Sequence, residues 1–390
     1  MSLRFLTAGE SHGPALAAIL EGLPAGLNIV LPVINHELER RQSGSGAGAR
    51  MKIERDQVRI LSGVMEGKTI GSPLAMLIEN RDHDKWYNKP IPALTIPRPG
   101  HADLSATLKY GYSDLRPALE RASARETAAR VAVGAICKLL LSEFNVRVEG
   151  YVRSIGEIEA NIEDIPIETR YQLAEQSSVR CPDESSSKKM EARISGIMEE
   201  KDTLGGIIDV LVFNPPPGLG SHVQWDRRLD ARLGAAILSI QAMKGVEIGD
   251  AFRNAHLSGT QAQDAIYLEG EKLVRHTLRS GGIEGGISTG DTILIRAAMK
   301  PIATTLTPQA SVDLFHQESA KTRYERSDYC PVPRAVPIVE SMAAFVIADA
   351  LVEKLGGDSI AEMKNHYQTT SQSQLSDLNL DGKEHIFWKE

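Results

Sequence analysis

The run SARETAARVAVGAICKLLLSEF, residues 123–144, decides the fold class. Ala128, Val131, Ala132, Ala135, Ile136, Leu139 and Leu140 recur at intervals of three and four, which places them on one face of a helix. Ser123 and Glu126 have the Ser-x-x-Glu spacing of a capping box. So much Ala and Gly lets other elements approach closely, as expected of a buried helix. Two further helices are expected. One spans 226–244, with Leu229, Leu233, Ala236, Ile237, Ile240 and Met243 in register and Gly245 as its stop. The other spans 337–355, is apolar on nearly every side and ends at Gly356-Gly357. Short β-branched runs at 57–63, 205–213 and 292–296 read as strands, and Pro215-Pro216-Pro217-Gly218 ends the second sharply. Residues 1–8 read as a further short strand, 185–189 as a polar loop inside a helical region, and 367–390 as a loosely ordered tail. Strands do not alternate regularly with helices, which favours an α+β domain over a doubly wound sheet.

Composition narrows the function classes. The 390 residues carry 44 Lys and Arg against 51 Asp and Glu, a formal charge of −7. Such a chain, with seven Phe, nine Tyr and three Trp, lacks the basic footprint and stacking platforms of a nucleic-acid binder. Phosphate binding would need a local cluster of cations. Cys137, Cys181 and Cys330 are too few and scattered for a disulfide framework or thiolate metal site, which points to the cytosol. Glu10 and His12 interrupt any signal-peptide stretch, and Asp349 breaks the longest apolar run, so no membrane span is expected.

The polar segments of interest lie in turn-rich sequence. Gly9-Glu10-Ser11-His12-Gly13 follows the first strand and precedes an Ala-rich segment read as helix, so it presents a histidine at a strand-to-helix turn. Arg98-Pro99-Gly100-His101-Ala102-Asp103 holds a second histidine in a rigid turn, where His-x-Asp suits an acid oriented by a carboxylate or half of a metal site. Arg40, Arg41 and Arg50 flank three glycines, a combination that serves anion binding or a plain surface loop. Ser123 and Arg125 stand at a helix N-terminus, where anions are favoured. The glycines of 281–290 permit close backbone approach to a ligand, and Glu325-Arg326-Ser327-Asp328 pairs cation and carboxylate ahead of the third helix. A phosphometabolite-binding protein and a metal-dependent phosphatase built on His101 and Asp103 are the competing readings. The first needs neither histidine nor Asp328, and chelation would abolish the second.

In this order, and together with Val223-Gln224-Trp225-Asp226, these segments resemble the chorismate synthase family over nearly the whole chain. The resemblance implies an anti-1,4-elimination of phosphate from 5-enolpyruvylshikimate 3-phosphate to give chorismate, with reduced FMN lending an electron transiently. It assigns His101 as the acid for the leaving phosphate, His12 as a donor to the reduced flavin, and Asp328 as the base working through the flavin N5. Ser11, Arg40, Arg41, Arg50, Arg98, Arg125 and Arg326 would face the substrate. Ser123, Ala124, Arg125, Gln241, Ala242, Gly285, Lys300, Pro301, Ile302, Ala303, Thr304 and Arg326 would hold the flavin. The substrate carries about −3.5 to −4 and the FMN phosphate about −2 at neutrality.

The resemblance further implies a single catalytic domain, 1–366, built as a β-α-β sandwich with long Ala-rich helices between antiparallel sheets. It implies a homotetramer in the cytoplasm, without metal, nucleic acid or membrane as partner. Some members reduce their own flavin with NADPH, whereas the compact length looks like the type that takes reduced flavin from a separate source. Two departures stand out. Where the family usually reads Gly-Tyr-Gly-Arg-Gly, this chain has Gly44-Ser45-Gly46-Ala47-Gly48. Leu278-Arg279 replace a common pair of asparagines, and Arg279 is a candidate to restore the charge missing at Ala47.

Overall fold

The structure is a computed structural model that describes residues 2–46, 55–325, 328–370 and 372–388. Strands β1 (Arg4–Ala8), β2 (Ala15–Glu21), β3 (Val58–Ile60) and β4 (Leu74–Glu79) form an antiparallel sheet in the order β1-β2-β4-β3. A second antiparallel sheet has the order β8-β9-β7-β5-β6, from β5 (Arg147–Ile155), β6 (Ile158–Glu159), β7 (Gly206–Phe213), β8 (Met243–Ile248) and β9 (Ile293–Met299). The main helices are α1 (Leu31–Gln42), α2 (Asp103–Tyr110), α3 (Arg116–Ala122), α4 (Thr127–Ser142), α5 (Arg170–Glu175), α6 (Glu184–Glu200), α7 (Leu229–Leu238), α8 (Val332–Leu355) and α9 (Ile360–Gln368). Helix α4 packs on β2 and β4, α8 packs on β5 and β7, and the two helices pack against each other. The fold is α+β, and its core runs through this helix pair.

The α4–α8 contact shows why the helices are rich in small residues. A Cβ placed on Gly134 would fall 2.2 Å from the Ser341 Cβ and 2.4 Å from its Cα, so only glycine fits. Helix α8 begins five residues before the expected Pro337. Proline lacks the N–H that would bond the Pro333 carbonyl. Arg180 Nη1 supplies that hydrogen bond at 2.7 Å, which lets the helix continue. By length and composition α8 could cross a membrane, but nine-tenths of its apolar stretch lies inside the fold.

Several expected elements differ. The Ala-rich segment after His12 is strand β2, not helix: Leu16, Ala18 and Leu20 alternate into the core and form a hairpin with β1. The 226–244 helix stops at Leu238, and Ala242, at φ +67°, turns the chain into β8. Met243 thus belongs to a strand, because pairing with Met299 satisfies its backbone as well as a helix would. Residues 185–189 lie inside α6, where Asp183 caps by accepting the Ser186 N–H at 2.9 Å. Ser123 does cap a turn, taking the Arg125 N–H at 3.3 Å, but Glu126 does not close the box. The buried Glu126 carboxylate accepts instead from Thr7 at 2.6 Å and Arg130 at 2.9 Å. Beyond α9, Ser373 and Leu375 exchange backbone hydrogen bonds with the 266–275 hairpin, and residues 380–388 are exposed.

Candidate active site

Hairpin β1–β2, helix α3, the turn before α4, the α7–β8 turn, the end of β9 and the start of α8 converge on a cleft of about 1020 Å³. Close approach of these turns sets its shape.

His12 sits on the β1–β2 turn. Its Nδ1 lies 2.7 Å from Glu120 Oε1, and its backbone N–H donates to Glu120 Oε2 at 2.8 Å, so one carboxylate on α3 fixes both ring and turn. Burial alone would raise the Glu120 pKa, but the side-chain and backbone hydrogen bonds from His12 lower it. A carboxylate acceptor assigns the proton to Nδ1 and leaves Nε2 as the second ring nitrogen. The ring leans on Trp86 with centroids 4.3 Å apart, and Ser123 Oγ donates to Ser11 Oγ at 3.1 Å beside it.

His101 repeats the device. Its Nδ1 lies 2.6 Å from Asp103 Oδ1, and Arg98 donates to the same carboxylate from Nε at 2.8 Å and Nη2 at 3.0 Å. Burial opposes ionisation of Asp103, yet the hydrogen bonds from His101 and Arg98 hold its pKa far below the usual range. Arg98 Nη1 reaches Thr304 at 3.0 Å, and Lys300 Nζ donates to the Gly100 carbonyl at 2.6 Å, so the β9 end braces the histidine turn.

The remaining cations are held from behind. Asp56, buried, accepts from Arg41 Nη2 at 2.6 Å and from Arg125 Nη1 at 2.6 and 2.7 Å. Burial would raise its pKa, and the two guanidiniums drive it down instead. Asn80 positions Arg125 from Nε at 2.8 Å. Arg334, on the first turn of α8, pairs with Asp328 through Nη2.

Most of the sequence-derived residues meet here. His12, His101, Asp328, Ser11, Arg41, Arg98, Arg125, Ser123, Ala124, Gln241, Ala242, Lys300, Ile302, Ala303 and Thr304 all line the cleft. Arg40 does not. It is 2% exposed and bonds Glu340 at 2.7 and 2.9 Å, Glu175 at 2.8 Å and Glu37 at 2.9 Å, inside a network with Lys138. Gly285, Pro301 and Arg279 lie off the wall, and the backbone carbonyl of Arg279 accepts from Asn254 at 2.9 Å. Ala47, Arg50 and Arg326 fall outside the described residues. Asp56, Asn80, Glu120, Trp86 and Arg334 were not singled out from sequence; Glu120, three residues before Ser123, stood beside a quoted motif, and the others carry no local signal. Among the described residues, no group of three or more His, Cys, Asp or Glu could hold a metal ion.

Two carboxylate-anchored histidines and a set of braced guanidiniums in one cleft define an enzyme that handles an anionic substrate by proton transfer. Comparison with known proteins narrows the class. The family model described as chorismate synthase matches residues 3–352. A protein named chorismate synthase from Desulforudis audaxviator is 49% identical over 376 residues, covering 94% of this chain and 96% of its own. One of that name from Aquifex aeolicus is 50% identical over 386 residues, covering 94% and 96%. A solved structure titled "Crystal Structure of Chorismate Synthase" superposes with a TM-score of 0.78 at 44% identity, covering 94% of this chain and 97% of that one. The chain belongs to the chorismate synthase family and is a lyase of the shikimate pathway.

Proposed function

We propose that the protein eliminates phosphate from 5-enolpyruvylshikimate 3-phosphate to give chorismate, with reduced FMN bound in the same cleft. The observation that carries the reading is the convergence of His12, His101 and Asp328 with Arg41, Arg98 and Arg125 on one cavity from five separate parts of the chain. Binding alone needs the arginines but not two histidines each anchored by a carboxylate.

The residues present fit a flavin. The cleft, at about 1020 Å³, is at the upper end of small-molecule sites, large enough for two ligands. Ala122, Ala124, Ala303 and Ala335 leave flat space on its walls, and the buried Gln241 Oε1 has no hydrogen-bond partner, an acceptor suited to a ring N–H. Ser123, Ala124 and Arg125 on their turn, with Gln241, Ala242 and the 300–304 segment, would hold the group. When bound, reduced FMN supplies reversible electron donation.

The chain's own residues do the rest. Arg41, Arg98 and Arg125 oppose the charges of substrate and cofactor phosphate. With Nδ1–H committed to Asp103, His101 holds a transferable proton on Nε2 and delivers it to the phosphate oxygen as the C–O bond breaks. The phosphate leaves with the bonding electron pair. The Asp328 carboxylate takes up the proton lost from the ring, and that C–H pair becomes the new double bond. His12, fixed by Glu120, presents Nε2 to the cofactor.

The reading further takes the protein as a cytoplasmic homotetramer with the β-α-β sandwich architecture and a separate source of reduced flavin. The test is anaerobic incubation with dithionite-reduced FMN and the enolpyruvyl substrate, following phosphate release and chorismate absorbance. Flavin-dependent release that survives chelation is expected. Equal phosphate release without flavin would sink the proposal, and loss on chelation would favour a phosphatase.

A further inference from the structure

Five arginines are at least nine-tenths buried, and four are bound to carboxylates, Arg41 through Asp56. Arg40 is bound by carboxylates, Arg125 by Asp56 and Asn80, and Arg180 by Glu175 together with the carbonyls of Pro333 and Arg40. Arg334 differs. It is 5% exposed and lines the cleft, and its Nη2 pairs with Asp328, but Nε and Nη1 are buried without any hydrogen-bond partner. A guanidinium has five donors and no acceptor, so the deficit cannot be met by rotation. Each buried donor left unmade costs about 1–3 kcal/mol, more when charged. Burial, with Arg41 and Arg180 nearby, pushes the Arg334 pKa down to about 9, the direction expected of a cation short of negative charge.

We propose that Arg334 is a substrate-binding residue whose Nη1 donates to an oxyanion of the ligand in the cleft. An incoming carboxylate or phosphate oxygen satisfies the orphan Nη1 donor, at the end of the guanidinium next to Nη2, and offsets the repulsion from Arg41. The identity of that ligand rests on the function proposed above; the existence of an anion subsite does not. Asp328 already occupies one side of the guanidinium, so the ligand anion is brought next to the carboxylate that accepts the ring proton.

The test measures binding of 5-enolpyruvylshikimate 3-phosphate to wild type, Arg334→Gln and Arg334→Lys by titration calorimetry, with three analogues, one lacking the phosphate and two with either the ring or the enolpyruvyl carboxylate replaced by carboxamide. Charged hydrogen bonds of this kind predict that Arg334→Gln weakens substrate binding by about 10- to 100-fold, with a smaller loss for Arg334→Lys. The penalty should vanish with one of the three analogues, which names the anion that Arg334 holds. Binding within twofold of wild type, or an equal penalty for substrate and all three analogues, would overturn the inference, since the latter marks a general distortion. If Arg334→Gln fails to fold, the same comparison is read from Arg334→Lys. Should the wild-type protein not turn the substrate over, thermal stabilisation by inorganic phosphate in wild type and its loss in Arg334→Lys still reads the anion subsite, while absence of that stabilisation in a protein that also binds no substrate overturns it.

Discussion

Replacing Arg40 separates a structural cation from a substrate-facing one. Arg40 and Arg41 are adjacent in sequence and both were expected at the substrate, but Arg40 bonds Glu340, Glu175 and Glu37 while Arg41 bonds Asp56 at the cleft. Arg40→Met keeps most of the stem and removes the charge. The fully buried Glu340 then retains Lys138 at 2.5 Å and the Gly150 N–H at 2.8 Å, too little for a carboxylate that shared two guanidinium bonds. Breaking a buried pair by deleting one partner costs about 3–5 kcal/mol. At about 2.1 cal/mol/K of unfolding entropy per residue, a chain of 390 residues loses roughly 4–6 °C of Tm. Scanning calorimetry reads that loss, and steady-state kinetics on the protein that remains folded reads KM, expected within about twofold of wild type because Arg40 touches no part of the cleft. An unchanged Tm with a KM raised tenfold or more would refute the assignment and restore Arg40 to the substrate.

The other predictions are quicker to state. Asp103→Asn should cut kcat by about 10²-fold, near the lower end of acid–base contributions, because it no longer fixes the His101 tautomer, and flavin binding by fluorescence should be nearly unchanged. Gly134→Ala forces a methyl onto Ser341 and should destabilise by about 3 kcal/mol in denaturant titration, with part of the loss recovered by adding Ser341→Gly. Asp56, Glu126 and Glu175 all have pKa values below the ordinary carboxylate range; groups of this kind stabilise above their unfolded pKa and lose that contribution as pH falls, so unfolding free energy should be flat above about pH 5 and drop below about pH 4. Ala47→Arg, argued from the sequence comparison alone, should lower KM more than it changes kcat; an unchanged or higher KM would count against it.

Periodicity made the interior legible and left the turns open. The helical face of 127–142 is unmistakable because sixteen residues sample 3.6 residues per turn several times over. Ala15–Glu21 is only seven residues long and rich in alanine, so local preference pointed to helix while pairing with both β1 and β4 enforced a strand. The candidate histidines were legible because they stand in Gly and Pro turns with polar neighbours. Their carboxylates were legible only when close in sequence: Asp103 lies two residues from His101, whereas Glu120 lies 108 residues from His12. Arg40 and Arg41 illustrate the limit of composition. Consecutive residues on a helix point about 100° apart, so one faces the core and the other the cleft, and nothing local says which.

The charge arrangement also explains how an acidic chain presents a cationic cleft. Behind the histidines and three of the arginines that face the cavity stand carboxylates: Asp56 behind Arg41 and Arg125, Asp103 behind Arg98 and His101, Glu120 behind His12. Each carboxylate accepts through both of its oxygens and so fixes the orientation of its partners. Cations loose on the surface would have to lose side-chain entropy and reorganise when a multiply charged substrate arrives; cations already locked do not. The same locking limits how much positive potential the empty cleft carries. Arg334 differs, since the carboxylate it pairs with among the described residues is Asp328, the proton acceptor of the proposed mechanism. The proposed binding cation and proton acceptor thus stand in one pair, so an anion held by Arg334 would lie beside the carboxylate that the proposed mechanism uses.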